Sequence, residues 1–173
     1  MKKLAIIFIA IFGMTFAFNN VNAQNEAELT NASAAANIIA PITLEQITGL
    51  HFGDIVPTAT AGDVIVSSAG VRSNPDGFTT LLTQFTIHSA AQFKVTGTDG
   101  SAYTIALPGD GVVVLDGAGL DIPVNGFEFT GDETIGAAPA GEDLFTVGAT
   151  LEVGAGQAAG LYTGVYTVTV TYD

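Results

Sequence analysis

Apolar and polar residues alternate along most of the sequence with a period of two, which is the period of a half-buried β-strand. The pattern is clearest near the C-terminus, over Leu161–Tyr172. There Tyr166, Val168 and Val170 share one face, and threonines occupy most of the other. After residue 23, no segment has apolar residues at helical spacing between capping residues. The pattern therefore predicts an all-β protein.

Short segments of strand-forming residues recur along the chain and are separated by turn residues such as those of Asn74–Gly77. Strands at a spacing of about 8–12 residues are typical of antiparallel sandwiches. We therefore expect residues 38–173 to form one antiparallel, immunoglobulin-like β-sandwich. The predicted strands are Ile38–Ile47, Leu50–Val56, Asp63–Ser67, Thr79–His88, Gln92–Thr96, Ala102–Leu107, Gly111–Leu115, Ile122–Thr130, Leu144–Val153 and Leu161–Tyr172.

The first 23 residues have the three parts of a secretory signal peptide. Lys2 and Lys3 precede an apolar run over Leu4–Phe18, and Val21 and Ala23 place small residues before a cleavage site. We expect cleavage after residue 23, transit through the periplasm, and a final location at the cell surface or outside the cell. No later segment is apolar for long enough to span a bilayer as a helix.

Residues 24–37 precede the predicted domain and form a candidate N-terminal arm. Ala32, Ala34, Ala36 and Ile38 recur at every second position, which would give an extended arm one apolar face. One interpretation is a donor strand that uses these four residues to pair with the sheet of another subunit. The other is a frayed terminus that leads into the first strand. The residue pattern alone leaves both interpretations open.

Distinctive blocks of sequence lie at both ends of the mature chain and between them: Ala34–Leu44, Leu50–Pro57, Phe93–Gly97 and Ala159–Tyr172. Together they resemble a cysteine-free family of secreted bacterial domains classed as a domain of unknown function. More distantly, the Leu50–Pro57 block and the terminal block are similar to the group of spore coat protein U and the archaic chaperone–usher pilins.

The more distant resemblance implies an incomplete immunoglobulin-like sandwich that is completed by the N-terminal strand of the next subunit. It also implies partners: copies of the chain or related subunits, with a periplasmic chaperone and an outer-membrane usher. The chain departs from the pilins because it lacks the cysteine pair that they usually carry.

Charge and composition exclude several classes of protein. The 173 residues include 17 acidic and 4 basic ones, for a net charge of −13. Removal of the signal peptide leaves Arg72 and Lys94 as the cations beside the 17 acidic residues, so the mature charge becomes −15. Phosphate contacts need a basic surface, so nucleic acid is excluded as a partner. The absence of cysteine excludes disulfides and thiolate metal sites.

Residues that could carry chemistry are few. His51 and His88 lie in predicted strands away from any nucleophile-elbow motif, so we expect no catalytic triad and no enzymatic activity. Turn aspartates could supply the oxygens that calcium prefers, but tight turns explain the same residues without a metal. We therefore expect no resident metal or cofactor. The calcium candidates are Asp110, Asp116, Asp121 and Asp132.

These observations support two hypotheses on function. The leading one is an exported, pilin-like structural subunit of a bacterial surface filament or coat that assembles by β-strand addition. The alternative is a monomeric, secreted, adhesin-like module whose loops recognise glycan or another surface component.

Overall fold

The computed structural model describes residues 28–77, 79–83, 86–137 and 140–173. This part of the chain contains twelve β-strands and no helix, hence no helix that could cross a membrane. The predicted all-β class is confirmed. The strands are β1 (Thr43–Thr48), β2 (Asp54–Val56), β3 (Gly62–Val66), β4 (Arg72–Ser73), β5 (Thr80–Leu82), β6 (Ala91–Thr96), β7 (Tyr103–Ala106), β8 (Val113–Leu115), β9 (Ile122–Thr130), β10 (Gly136–Ala137), β11 (Ala140–Val153) and β12 (Thr169–Tyr172).

The strands pair antiparallel throughout and form three sheets. The main sheet has eight strands, and the path β1–β6–β11–β3–β4 runs through it. Strands β9 and β10 also pair with β11, and β8 pairs with β9. Two small sheets pair β7 with β12 and β2 with β5. The curled main sheet and the small sheets enclose an apolar core, as the predicted antiparallel β-sandwich requires.

The long strand β11 is the centre of the main sheet because it changes partners along its length. Residues 142–147 pair with β6, and residues 149–153 pair with β3. Gly148 lies between the two pairings. A Cβ atom at Gly148 would overlap the backbone of Ser67 and Ser68. The close approach of the chain that follows β3 therefore requires glycine at this position.

Two groups of buried apolar side chains fill the core. One comes from β3, β8, β9 and the end of β11 together with Phe52, and the other from β6, β7 and the start of β11 together with Ile135. In the second group, the ring of Phe145 stacks on Phe93 with centroids 5.2 Å apart and meets Phe129 edge-on at 6.4 Å. Such ring pairs add stability beyond the apolar area that they bury.

Six predicted strands are shorter in the structure than the alternation suggests; among them, Leu50–Val56 is a strand only over Asp54–Val56. The first predicted strand begins at Thr43 rather than Ile38, after Pro41, which has no N–H to donate to a ladder. The fourth predicted strand, Thr79–His88, is a strand only over Thr80–Leu82. The next partner position on β2 would be Gly53, whose φ of 75° breaks the extended backbone. Residues 84–85 lie outside the described part.

The last predicted strand, Leu161–Tyr172, is paired as a strand only over Thr169–Tyr172. Its partner β7 causes the difference. Thr169 lies opposite Ala106, so the next partners would be Leu107 and Pro108, where β7 has ended. The predicted alternation itself holds in this segment, since Tyr166, Val168 and Val170 are half-buried and their neighbours are exposed.

We predict that Phe145→Ala lowers the free energy of unfolding by about 3–5 kcal/mol, because it leaves a cavity beside Phe93 and Phe129. The control is Leu144→Ala. Leu144 is 50% exposed, so its truncation should cost less than about 1 kcal/mol. Urea unfolding followed by circular dichroism measures both values. Equal losses would mean that the buried face of β11 is assigned incorrectly.

Candidate functional site

The edge of one strand and a segment outside any strand face each other across an open groove. One border is β1, which pairs with β6 alone. The other is residues 164–168, which lie just before β12 and belong to no strand. The space between them measures about 610 Å³. We call it the interstrand groove, and its lining residues are Leu44, Gln46, Gly49, Leu50, Phe93, Gly164, Val165, Tyr166, Thr167 and Val168.

The border at residues 164–168 turns unpaired backbone groups toward the groove. Thr163 exchanges two backbone hydrogen bonds with Asp116, and the Asp173 N–H donates to the Ala102 carbonyl. These odd-numbered residues therefore bond toward β7 and β8. Because backbone groups alternate in direction along an extended chain, those of residues 164, 166 and 168 point the other way. The described part of the chain provides no backbone partner for them, so they form a sheet edge that can pair with a further strand.

The groove has an apolar floor and no charged residue in its lining. Phe93 is buried, and Leu44 and Val168 pack half-buried against the same core group. The neighbouring ion pair, in which Lys94 Nζ lies 3.0 Å from Glu45, joins β1 to β6 and is outside the lining. A segment that binds in this groove therefore needs free backbone groups and apolar side chains rather than charges.

A cluster of hydrogen bonds joins the chain just before β1 to β12, beyond Leu44 and Val168 at one end of the groove. The Tyr172 hydroxyl accepts from the Thr98 N–H at 2.8 Å and donates to the Ala40 carbonyl at 2.9 Å. The Ala40 N–H donates to the Thr98 hydroxyl at 2.8 Å. A Cβ at Gly97 would overlap the Tyr172 hydroxyl, so glycine leaves the space for it. We call Ala40, Thr98 and Tyr172 the Ala40 clamp, and its three residues lie outside the groove lining.

The other end of the groove borders a second cavity, of about 450 Å³. The cavity shares Leu50, Gly164 and Tyr166 with the groove lining. Buried side chains of the first core group, including Phe52 and Leu151, form part of its wall. We call this space the end cavity. It provides room for a large apolar side chain beside the core.

Tyr166 stands between the interstrand groove and the end cavity. Its hydroxyl is buried and has no hydrogen-bond partner among the described residues. Its ring packs against Phe127, with centroids 5.1 Å apart. Burial raises the pKa of Tyr166 to about 12, because the ionised form would lose its hydration. Tyr103, in contrast, donates to the Asp143 carboxylate at 2.7 Å, and burial followed by this bond raises its pKa.

The predicted subunit-interaction residues lie at the beginning of the described chain. The chain divides into two units, residues 1–37 and residues 38–173. Residues 28–37 contain no strand, and all their side chains are exposed, including those of Ala32, Ala34 and Ala36. Ile38 begins the second unit and is 94% exposed. The role of these four residues stays a prediction.

The candidate calcium ligands are not brought together. Within the described residues, no three acidic or histidine side chains are grouped as metal ligands. The Asp110 carboxylate accepts from the Gly126 N–H at 2.8 Å, and Asp116 forms its backbone bridge to the C-terminal segment. Asp121 and Asp132 are exposed. The contacts found for Asp110 and Asp116 are thus those of structural turn residues.

Sequence patterning does not identify the groove. Leu44 and Val168 each have the alternation of an ordinary strand, and 123 residues of sequence separate them. The groove arises because no strand of the described chain lies between the two segments. The alternation within one segment does not indicate which segments are its neighbours in the fold. The Ala40 clamp is also missed, since its three residues come from distant parts of the sequence.

The strands and the groove define an antiparallel β-sandwich with two unpaired borders. A family model described as a domain of unknown function (DUF4402) matches residues 42–172, and the chain belongs to that family. The match runs from the residue before β1 to the last residue of β12, so both borders of the groove lie within it. No curated protein and no solved structure matches the chain.

We predict that Tyr166→Phe leaves the protein as stable as the parent or more stable at neutral pH, because a buried hydroxyl without a partner costs about 1–3 kcal/mol. Above pH of about 10 the unfolded state ionises Tyr166 while the folded state does not, so the free energy of unfolding falls as pH rises. The variant should show a shallower fall between pH 10 and about 12.

The control for this prediction is Tyr162→Phe. The Tyr162 hydroxyl has two protein partners, Gln157 at 3.0 Å and the Ala158 carbonyl at 2.9 Å. Its removal should therefore cost about 0.5–1.5 kcal/mol at neutral pH. Urea unfolding at a series of pH values measures both variants. A larger loss in Tyr166→Phe than in Tyr162→Phe would mean that the Tyr166 hydroxyl has a partner.

Proposed function

We propose that the chain is an exported structural subunit of a bacterial surface filament or coat, and that it assembles by β-strand addition. The observation that carries the proposal is the interstrand groove, where two unpaired borders face each other over an apolar floor. An added strand would pair with both borders and would cover Phe93 at the same time. The same groove is a feature expected of a sandwich that is completed by a neighbouring subunit.

The proposed donor is the N-terminal arm, with Ala32, Ala34 and Ala36 over the groove floor and Ile38 at the junction. The arm suits the groove in charge, because no charged residue lies between Glu28 and Glu45. Subunits with a charge near −15 repel one another, so a contact between them needs uncharged surfaces. The alternating alanines supply such a surface, and the backbone ladder supplies much of the binding.

The proposal includes the similarity to the chaperone–usher pilins. If it holds, the domain has an immunoglobulin-like topology, and a periplasmic chaperone and an outer-membrane usher assist its assembly. Export in this proposal depends on the signal peptide of residues 1–23, and the final location is the cell surface. The function is structural and needs no catalytic residue.

The competing proposal, a monomeric secreted binding module, has one observation in its favour. The end cavity is large enough for a small apolar ligand, since ligand pockets have volumes from about 300 to 1,000 Å³. Some polar groups of this cavity already have partners within the protein and are less available to a ligand. Gln157, for example, donates to the Leu120 carbonyl and to the Tyr162 hydroxyl. We prefer the subunit proposal because the groove and the arm complement each other.

We predict that Ala34→Asp combined with Ala36→Asp abolishes oligomerisation of the chain from residue 24 and leaves the free energy of unfolding unchanged. Two carboxylates on the groove face would be desolvated without partners, at a cost of several kcal/mol in binding. Both positions are exposed, so the fold does not depend on them. Sedimentation over a range of concentrations measures assembly, and electron microscopy shows filaments.

The matched control is Ser33→Asp combined with Ala35→Asp, which adds the same charge to the opposite face of the arm. In high salt, which screens charge repulsion, this control should still oligomerise. If the unmodified chain remains monomeric at high concentration in the same salt, the subunit proposal is wrong and the secreted binding module replaces it.

A further inference from the structure

We propose that the interstrand groove binds the arm of a second copy and not the arm of its own chain, and that the Ala40 clamp causes this choice. The incoming arm enters at the end cavity and runs antiparallel to residues 164–168, with Ile38 nearest the cavity. This inference rests on the proposed function and adds the direction of the added strand and the residues that enforce exchange.

The first argument is the direction in which the chain reaches its own domain. Thr43 lies opposite Thr96 in the β1–β6 ladder, and three residues earlier Ala40 bonds to Thr98. Residues 43–48 therefore pair with β6, and the chain before them continues past the end of β6 to Thr98. Pro41 reinforces this course, because the residue before a proline is restricted to extended conformations. Ile38 and Ile39 thus precede the clamp and lie outside the groove lining, which begins at Leu44.

The second argument is the cost of filling its own groove. A self-inserted arm would have to reverse direction between residues 38 and 43 and run antiparallel to β1. The reversal would break both backbone hydrogen bonds of Ala40, one to the Thr98 hydroxyl and one from the Tyr172 hydroxyl. The arm of a second copy requires neither change. The clamp therefore favours exchange over self-insertion.

The third argument fixes the direction of the incoming strand. The Ala40 clamp ties the chain before β1 to β12 beyond Leu44 and Val168, so the domain that carries the incoming arm must lie at the other end, beside Gly49 and Gly164. Ile38, which joins the arm to that domain, then lies at the end cavity. The alanines lie further along the groove toward Tyr172. The strand is consequently antiparallel to residues 164–168 and parallel to β1.

Side-chain size agrees with this direction. The groove-facing positions of the arm are small at residues 32, 34 and 36 and large at Ile38. Buried core side chains such as Phe52 and Leu151 line the end cavity of about 450 Å³, so a large apolar side chain there would contact the core. In the opposite direction, Ile38 would lie at the end near the Ala40 clamp, away from the end cavity. The 94% exposure of Ile38 in the single chain is explained if the end cavity of a neighbour covers it.

Cysteine crosslinking tests the direction, and the chain has no cysteine of its own to interfere. Two singly substituted proteins, Asn37→Cys and Val165→Cys, are mixed under oxidising conditions, and the intermolecular disulfide is identified by mass spectrometry. Both positions are exposed. We expect this pair to crosslink and the pair Ser33→Cys with Val165→Cys to crosslink far less. A stronger crosslink from Ser33→Cys would overturn the proposed direction.

The role of the clamp is tested in the full mature chain with Tyr172→Phe, which keeps the ring and removes the hydroxyl that holds Ala40. If nine-tenths of the free chains then insert their own arms, only one-tenth can accept the arm of another copy. The protein concentration at which half the chains are assembled then rises about tenfold. Hydrogen exchange should show residues 32–38 protected in the monomer. The control is Tyr103→Phe, whose hydroxyl bonds Asp143 instead and which lines neither the groove nor the end cavity, and it should assemble like the parent.

The outcomes separate this inference from the proposed function. If the parent assembles and Tyr172→Phe assembles at the same concentration with an unprotected monomer arm, the clamp has no such role while strand addition stands. If the disulfide forms only within one chain that carries Asn37→Cys and Val165→Cys together, self-insertion replaces exchange. If the parent neither assembles nor crosslinks, the proposed function itself is wrong.

Discussion

The unpaired backbone groups at the two borders of the groove are the constraint on which the proposed assembly depends. A single exposed sheet edge is common, because water can bond its N–H and C=O groups. Here two such edges face each other over the apolar side chain of Phe93. Water in the groove solvates the backbone but leaves apolar surface exposed beneath it. The added strand that we propose would satisfy both requirements together.

The distribution of charge follows from the same constraint. The chain has 17 acidic residues, yet none lies in the groove lining or between Glu28 and Glu45. Acidic residues elsewhere keep the exterior hydrophilic and repel chance contacts between subunits. An uncharged arm and an uncharged groove are then the surfaces on which two copies can meet without desolvating a carboxylate. High negative charge and specific self-association are therefore compatible in one chain.

Local alternation predicted the all-β class, most strand positions and the buried face of Tyr166, Val168 and Val170, because these depend on a period of two within one segment. It overestimated strands whose length is set by a partner. The end of β7 at Pro108 shortens the last strand, and Gly53 ends the pairing of β2. The groove and the Ala40 clamp depend on which segments become neighbours, and this information is not present in any one segment.

The arm also raises a question of register, to which side-chain size gives a physical answer. Three alanines at positions 32, 34 and 36 are equivalent, so a slip of two residues would change their contacts little. Ile38 is the one large apolar side chain of that face between residue 24 and Pro41. If Ile38 occupies the end cavity of a neighbour, a slip of two residues would place an alanine there and leave the cavity unfilled. Ile38 would then set the register, while the alanines allow the two backbones to pair without steric conflict.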